Sequence, residues 1–378
     1  MTAAPEKQRI EFIDAARGAA MCLILLSHFS WIYFRDGSHA SLQGTLSLIA
    51  QPAVPAFVLI SGLMSSFLGN LRPQSYDALR GKLLDRGLFL LTIGHFLIFV
   101  AYIPYAGSAR EAMRYGQMTD AIAVAIILGP LLVTRLSTRT RLWLAAGLYL
   151  LAWALTIAWH PEGTVLRFFK QTIVGDLHGS ANFWLYNFAV MPWFALYLAG
   201  TALGDYLAAC WLDRRPEALA RLLLRIGIVA LGAGLVLRFG YPILDNIAGP
   251  LPELARTLVG VSQKVPPGPT YLLIFGGLGV LLLRAMFLAE QRNLLPRVRR
   301  VLVIMGQTSL FVFLLQELLY VGLLSWISPP YSPLWPLLFL ASAALVIGIA
   351  IWWHRIGGMR FMTVGLRRTL QVPALKQS

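Results

Sequence analysis

The stretch IDAARGAAMCLILLSHF, residues 13–29, decides how this chain is read. It is mostly apolar and, with its flanks, long enough to cross a hydrocarbon core, which takes about 20 apolar residues. Yet it carries Asp14, Arg17 and His28. A charged group within a span costs at least ~2.5 kcal/mol and is placed facing a bundle interior or a wet cavity. Arg17 and His28 are eleven residues apart. On a helix that spacing returns to within about 20° of one face and separates them by about 16 Å along the axis. Asp14 stands three residues before Arg17, within pairing reach. The stretch therefore predicts a membrane helix with one polar stripe, a carboxylate–guanidinium pair near its start and an imidazole near its far end.

The remainder of the chain repeats the pattern of long apolar runs. Of 378 residues, 57% are hydrophobic and 13% charged, about half the charged share of a soluble domain. Ten runs can span: 12–34, 46–69, 84–105, 118–134, 141–160, 183–207, 221–240, 269–289, 300–326 and 334–354. The fold expected is all-α, a polytopic membrane helix bundle of about ten transmembrane helices. Residues 1–378 form a single integral membrane domain, with 355–378 a basic cytoplasmic tail. The apolar pattern shows no internal repeat, unlike a transporter built from inverted repeats. Lys and Arg favour the side of the two termini by roughly three to one, which predicts both termini in the cytoplasm. That bias accounts for the net charge of +15 as membrane anchoring, with no nucleic-acid partner. Cys22 and Cys210 lie in or beside apolar runs and read as small core residues. The first run follows a short charged N-terminus and reads as a retained span. The expected location is the bacterial inner (cytoplasmic) membrane.

The outer segments 34–44, 160–182 and 241–269 carry polar residues. The latter two are longer than ordinary connections and are expected to form lids or re-entrant caps over an outward cavity. A guanidinium suits phosphate, and an imidazole suits proton transfer near neutral pH. Asp14–Arg17 reads equally as a folding clamp between spans. Asn182, Trp184 and Asn187, followed by Trp193, offer rings beside amides that suit a sugar, although Trp at a membrane interface also serves as an anchor. Lys264 reads as a partner for an anionic acceptor or as a solvated rim charge. Gln316 and Glu317 lie inside the ninth run, where polar groups must find partners or line a cavity. Asp176 and His178 lack further ligands at metal-binding spacing, so no metal is expected. His95, His160 and His354 read as background.

Several segments together carry a resemblance. RIEFIDAARGAAMCLILLSHF (9–29) resembles the opening of the transmembrane acyltransferases: the acyltransferase-3 proteins, the glucan-succinylating OpgC proteins and the heparan-α-glucosaminide N-acetyltransferase family. The ten residues between Arg17 and His28 match the acyltransferase-3 spacing. HASLQG (39–44) with PAFVLISG (55–62), MPWFALYLAGTALG (191–204), QKVPPGPTYLLIFGG (263–277) and GQTSLFVFLLQELL (306–319) are similar, in order, to segments of the N-acetyltransferase branch. In that branch the catalytic histidine follows an asparagine by eleven residues. The resemblance puts His39 in the place of that histidine and His28 in the place of the asparagine. Gln307 and Gln316 depart from the arginine and histidine of bacterial relatives, and Glu317 stands next to the second.

Acyl transfer needs an acceptor that loses a proton, a stabilised oxyanion and a donor held within reach. The resemblance implies acetyl-CoA or another acyl-CoA as donor, with phosphates near Arg17 and Asp14. It also implies a glycan or lipid-linked sugar acceptor on the periplasmic side. His39 and His28 are the expected catalytic residues. The expected substrate contacts are Asn182, Trp184, Asn187, Trp193, Lys264, Gln316 and Glu317. The expected partners besides substrates are the lipid bilayer and a second copy of the chain in a homo-oligomer. The competing expectation is a secondary transporter or proton-coupled carrier using Asp14, Arg17, His28 and Glu317 as a relay.

Overall fold

A computed structural model describes residues 10–71, 73–177, 184, 188–248, 255, 258–260 and 264–358. Among the described residues the fold is all-α, with ten helices long and apolar enough to cross a membrane. The first crossing is α1 (Glu11–Tyr33); the second joins α2 (Ala40–Ala50) to α3 (Ala53–Leu71), and the third joins α4 (Tyr76–Phe89) to α5 (His95–Ala106) through a π-helical turn. A short α6 (Ala109–Ala112) leads to α7 (Met118–Arg135) and α8 (Thr138–Ala158), followed by a short α9 (Thr164–Ile173). Next come α10 (Val190–Leu212), α11 (Pro216–Ala248) and α12 (Pro269–Gln291). The chain then forms α13 (Pro296–Gln307), α14 (Ser309–Gln316), a π-helical stretch Glu317–Leu324, α15 (Ser325–Ile327) and α16 (Trp335–Arg355).

Several expected spans shift: the run at 84–105 starts earlier, at Tyr76, and the run at 221–240 extends over Pro216–Ala248. The run at 46–69 starts earlier, at Ala40, and breaks at Gln51-Pro52, because proline lacks an N–H and its ring crowds the preceding turn. The Gln51 carbonyl beside this break accepts a hydrogen bond from Tyr271 Oη at 3.3 Å. The run at 300–326 divides at Thr308, so the crossing starts at Ser309 and α13 stands apart. The run at 183–207 begins its helix at Val190.

Helices in lipid associate by close packing rather than by a hydrophobic drive, and small residues permit it. A Cβ at Gly18 would overlap the Leu302 carbonyl, and one at Gly306 would overlap the Asp14 carbonyl. The backbones of α1 and α13 therefore touch where α1 carries its charges. At the same end Asp205 of α10 accepts hydrogen bonds from Ser66 and from Asn70 (2.7 Å), and also from Thr138 (2.5 Å) and Arg141. That one carboxylate ties α3, α8 and α10 together.

Asp14 at the start of α1 and His354 at the end of α16 both contact Gln307. Ten crossings thus return the last span to the end where the first begins, here called the proximal end. The expected caps at 160–182 and 241–269 fall partly outside the described residues, which omit 178–183 and most of 249–263.

Candidate active site

A cavity of about 930 Å³ runs between the helices. On α1 it is lined by Arg17, Ile24, Ser27, His28 and Trp31, one helical stripe, as the spacing of Arg17 and His28 predicts. Toward the proximal end Arg17 shares the lining with Lys82 and Arg86 of α4. The Arg17 Nη2 donates to Ser309 Oγ at 2.6 Å, and Nη1 lies 3.9 Å from Asp14 Oδ1. The guanidinium also sits 5.5 Å from the Phe57 ring centre. Asp14 is 8% exposed and does not line the cavity. It stands behind Arg17, and its Oδ2 accepts from Gln307 Nε2 at 3.3 Å.

Eleven residues on from Arg17, His28 faces the cavity with its Nδ1 3.3 Å from Glu317 Oε1. Glu317 is 1% exposed and opens the π-helical stretch of the ninth crossing; such turns recur at functional sites. Gln316 is fully buried beside it and outside the lining. The ring of His28 lies edge-on to Trp31 and Phe313.

Beyond His28 the wall becomes aromatic. Trp31 and Tyr105 lie 4.7 Å apart, Tyr102 and Tyr115 lie 5.1 Å apart, and all four line the cavity. Gln51, Gln117 and Lys264 add polar groups there. Lys264 Nζ sits 5.4 Å from the Phe188 ring centre, and burial pushes its pKa down to about 8. Burial disfavours the ammonium, so the neutral, nucleophilic amine predominates above that pH. Lys264 is therefore expected to react with acetic anhydride with a midpoint near pH 8, read by mass spectrometry of its peptide. A midpoint near that of an exposed lysine counts against its place in the cavity.

His39 lies elsewhere. It flanks the start of α2, stacks on Tyr331 at 3.6 Å and is not among the lining residues. Its Nδ1 is 2.8 Å from Ser38 Oγ, whose proton goes to Asp36 Oδ2 at 2.8 Å. The single hydroxyl proton of Ser38 is thereby spent, so His39 Nδ1 carries the hydrogen. In the neutral ring Nε2 is then an acceptor. The structure thus does not bring His28 and His39 into one lining.

Of the other expected contacts, Trp184 donates from Nε1 to Thr172 Oγ1 at 2.9 Å and packs on Phe168, so it anchors α9. Trp193 is buried between Phe188 and Tyr271, behind the cavity wall. Asn182 and Asn187 lie outside the described residues. Among those described, no group of His, Cys, Asp and Glu could hold a metal. Lys82, Arg86, Trp31, Tyr102, Tyr105 and Tyr115 line the cavity without having been among the expected site residues. Leu79, Lys82, Leu83, Arg86 and Leu90 all line the cavity, and their helical spacing was a signal available in the sequence.

The fold and this cavity define a multi-pass membrane protein with a polar passage running inward from a basic end. The chain belongs to the heparan-alpha-glucosaminide N-acetyltransferase catalytic family, whose profile matches residues 9–235, from the start of α1 into α11. A search of curated proteins finds no match to the chain.

Proposed function

We propose that this protein takes an acetyl group from acetyl-CoA at its proximal end and transfers it to an amine or hydroxyl of a glycan-type acceptor at the opposite end. The observation that carries this reading is the order of groups along one cavity: Arg17, Lys82 and Arg86, then His28 beside Glu317, then the aromatic wall with Lys264. Three cations at one end suit the phosphates of coenzyme A, and a guanidinium can bind a phosphate through two parallel hydrogen bonds. The eleven residues from Arg17 to His28, about 16 Å, can be bridged by the extended pantetheine arm. The ring faces and amides suit a sugar, whose apolar faces and hydroxyls need both.

In this mechanism His28 accepts the proton of the attacking amine or hydroxyl, and Glu317 stabilises the imidazolium that forms. The acceptor's N or O bonds to the acyl carbon, the C–S bond breaks, and the coenzyme A sulfur leaves with the proton returned by His28. His39 is the second candidate base, with Nε2 as its acceptor. The Lys/Arg bias supports a cytoplasmic proximal end in a bacterial inner membrane.

The test is reconstitution in vesicles, with acetyl-CoA confined to the face bearing the termini and a methyl α-glucosaminide confined to the other. N- or O-acetylated sugar should accumulate on the acceptor side. Arg17→Lys, which keeps the charge but loses the planar fork, should raise the KM for acetyl-CoA about tenfold and leave the acceptor's KM unchanged. Transfer only when both substrates share one face would defeat the through-membrane reading.

A further inference from the structure

His354 reads in the sequence as background, and the last span has only a small buried share. Yet His354 Nε2 lies 3.0 Å from Gln307 Oε1, and Gln307 Nε2 lies 3.3 Å from Asp14 Oδ2. Asp14 Oδ1 in turn faces Arg17 Nη1 at 3.9 Å, and Arg17 Nη2 donates to Ser309 Oγ at 2.6 Å. Four separate segments, α16, α13, α1 and α14, meet in this one chain of contacts.

The chain has a single polarity. An ionised carboxylate only accepts, so the Gln307 amide must turn its NH₂ toward Asp14. Its oxygen then faces His354, which must present an N–H at Nε2. Flipping the amide would set its one oxygen against Asp14 Oδ2 and turn its NH₂ toward the His354 N–H, leaving that hydrogen unmatched. With Oδ2 engaged by Gln307, the carboxylate plane is fixed and Oδ1 is aimed at Arg17. The backbone holds the same geometry, because Gly306 lets α13 touch α1 at Asp14.

We propose that Gln307 and His354 are positioning residues that set the guanidinium of Arg17 through Asp14. Neither residue lines the cavity, so both act only through their partners. The consequence for donor binding rests on the function proposed above; the positioning itself does not.

The experiment measures the labelling rate of Arg17 by phenylglyoxal, relative to Arg86, which lines the same cavity outside this chain of contacts. In detergent-purified full-length protein, His354→Ala and Gln307→Leu should change the Arg17:Arg86 ratio roughly three- to tenfold, the effect of losing one hydrogen bond. His354→Gln, which can still present an N–H to Gln307, should return the ratio toward wild type. An unmoved ratio in folded His354→Ala and Gln307→Leu overturns the proposal. Coenzyme A affinity is measured in parallel by calorimetry. Both variants should weaken it by a similar factor, and His354→Ala should add nothing in an Arg17→Ala background. An equal further loss in that background would also overturn the proposal. If the wild type binds no coenzyme A while the labelling ratio shifts as stated, positioning stands and the donor assignment falls.

Discussion

Replacing His28 by alanine is expected to lower turnover by about 10²–10⁴, the usual worth of a positioned acid–base group, while coenzyme A binding is kept. The expectation rests on place: His28 lines the cavity between the basic end and the aromatic wall, with Nδ1 3.3 Å from Glu317. Glu317→Gln should lose part of the same factor, because it removes the carboxyl group that faces the His28 ring and leaves the shape. His28→Asn should be milder than His28→Ala, since the amide retains a polar group in the cavity. The comparison arm is His39→Ala. His39 stacks on Tyr331 and is oriented by Ser38 and Asp36, but it lies outside the lining. Loss with His39→Ala and none with His28→Ala would move the base to the loop and reduce the His28–Glu317 pair to a structural contact. Turnover is read as acetylated sugar per enzyme, and binding by calorimetry on the same preparations.

The second large effect is on stability. Arg141 is 3% exposed, and its Nε and Nη1 have no hydrogen-bond partner among the described residues. Its Nη2 donates to Asp205. Removing one member of a buried ion pair strands the other charge and costs about 3–5 kcal/mol. Asp205→Ala should therefore sharply lower the thermal midpoint in detergent, because it also releases Ser66, Asn70 and Thr138. Replacing both members by apolar residues, Arg141→Met with Asp205→Leu, should recover much of the loss, since no buried charge then remains. A single variant that melts with the wild type would show that α3, α8 and α10 hold together without this clamp.

The ten crossings were legible in the sequence because the length of an apolar run is a local property fixed by bilayer thickness. The α1 stripe was legible for a similar reason: helical phase converts the spacing of Arg17 and His28 into a shared face, and both line the cavity. The pairing of Asp14 with Arg17 followed from the same phase. Lys82 and Arg86 were harder, because a cation that anchors a span end and one that lines a cavity have the same residue type and the same position along the chain.

Only the tertiary structure decided which polar groups share the cavity. It set Glu317 against His28 across 289 positions of chain and placed Gln307 between Asp14 and His354. It also put Tyr102, Tyr105 and Tyr115 opposite α1, and left Trp184, Trp193 and His39 outside the lining. Sequence alone determined that this chain is a membrane bundle with an ionisable stripe, because helix phase and run length act over neighbouring residues. The partners of that stripe come from helix-to-helix packing at Gly18 and Gly306 and from breaks at Pro52 and Thr308. These set how far each helix slides and turns against the others, which no single run encodes.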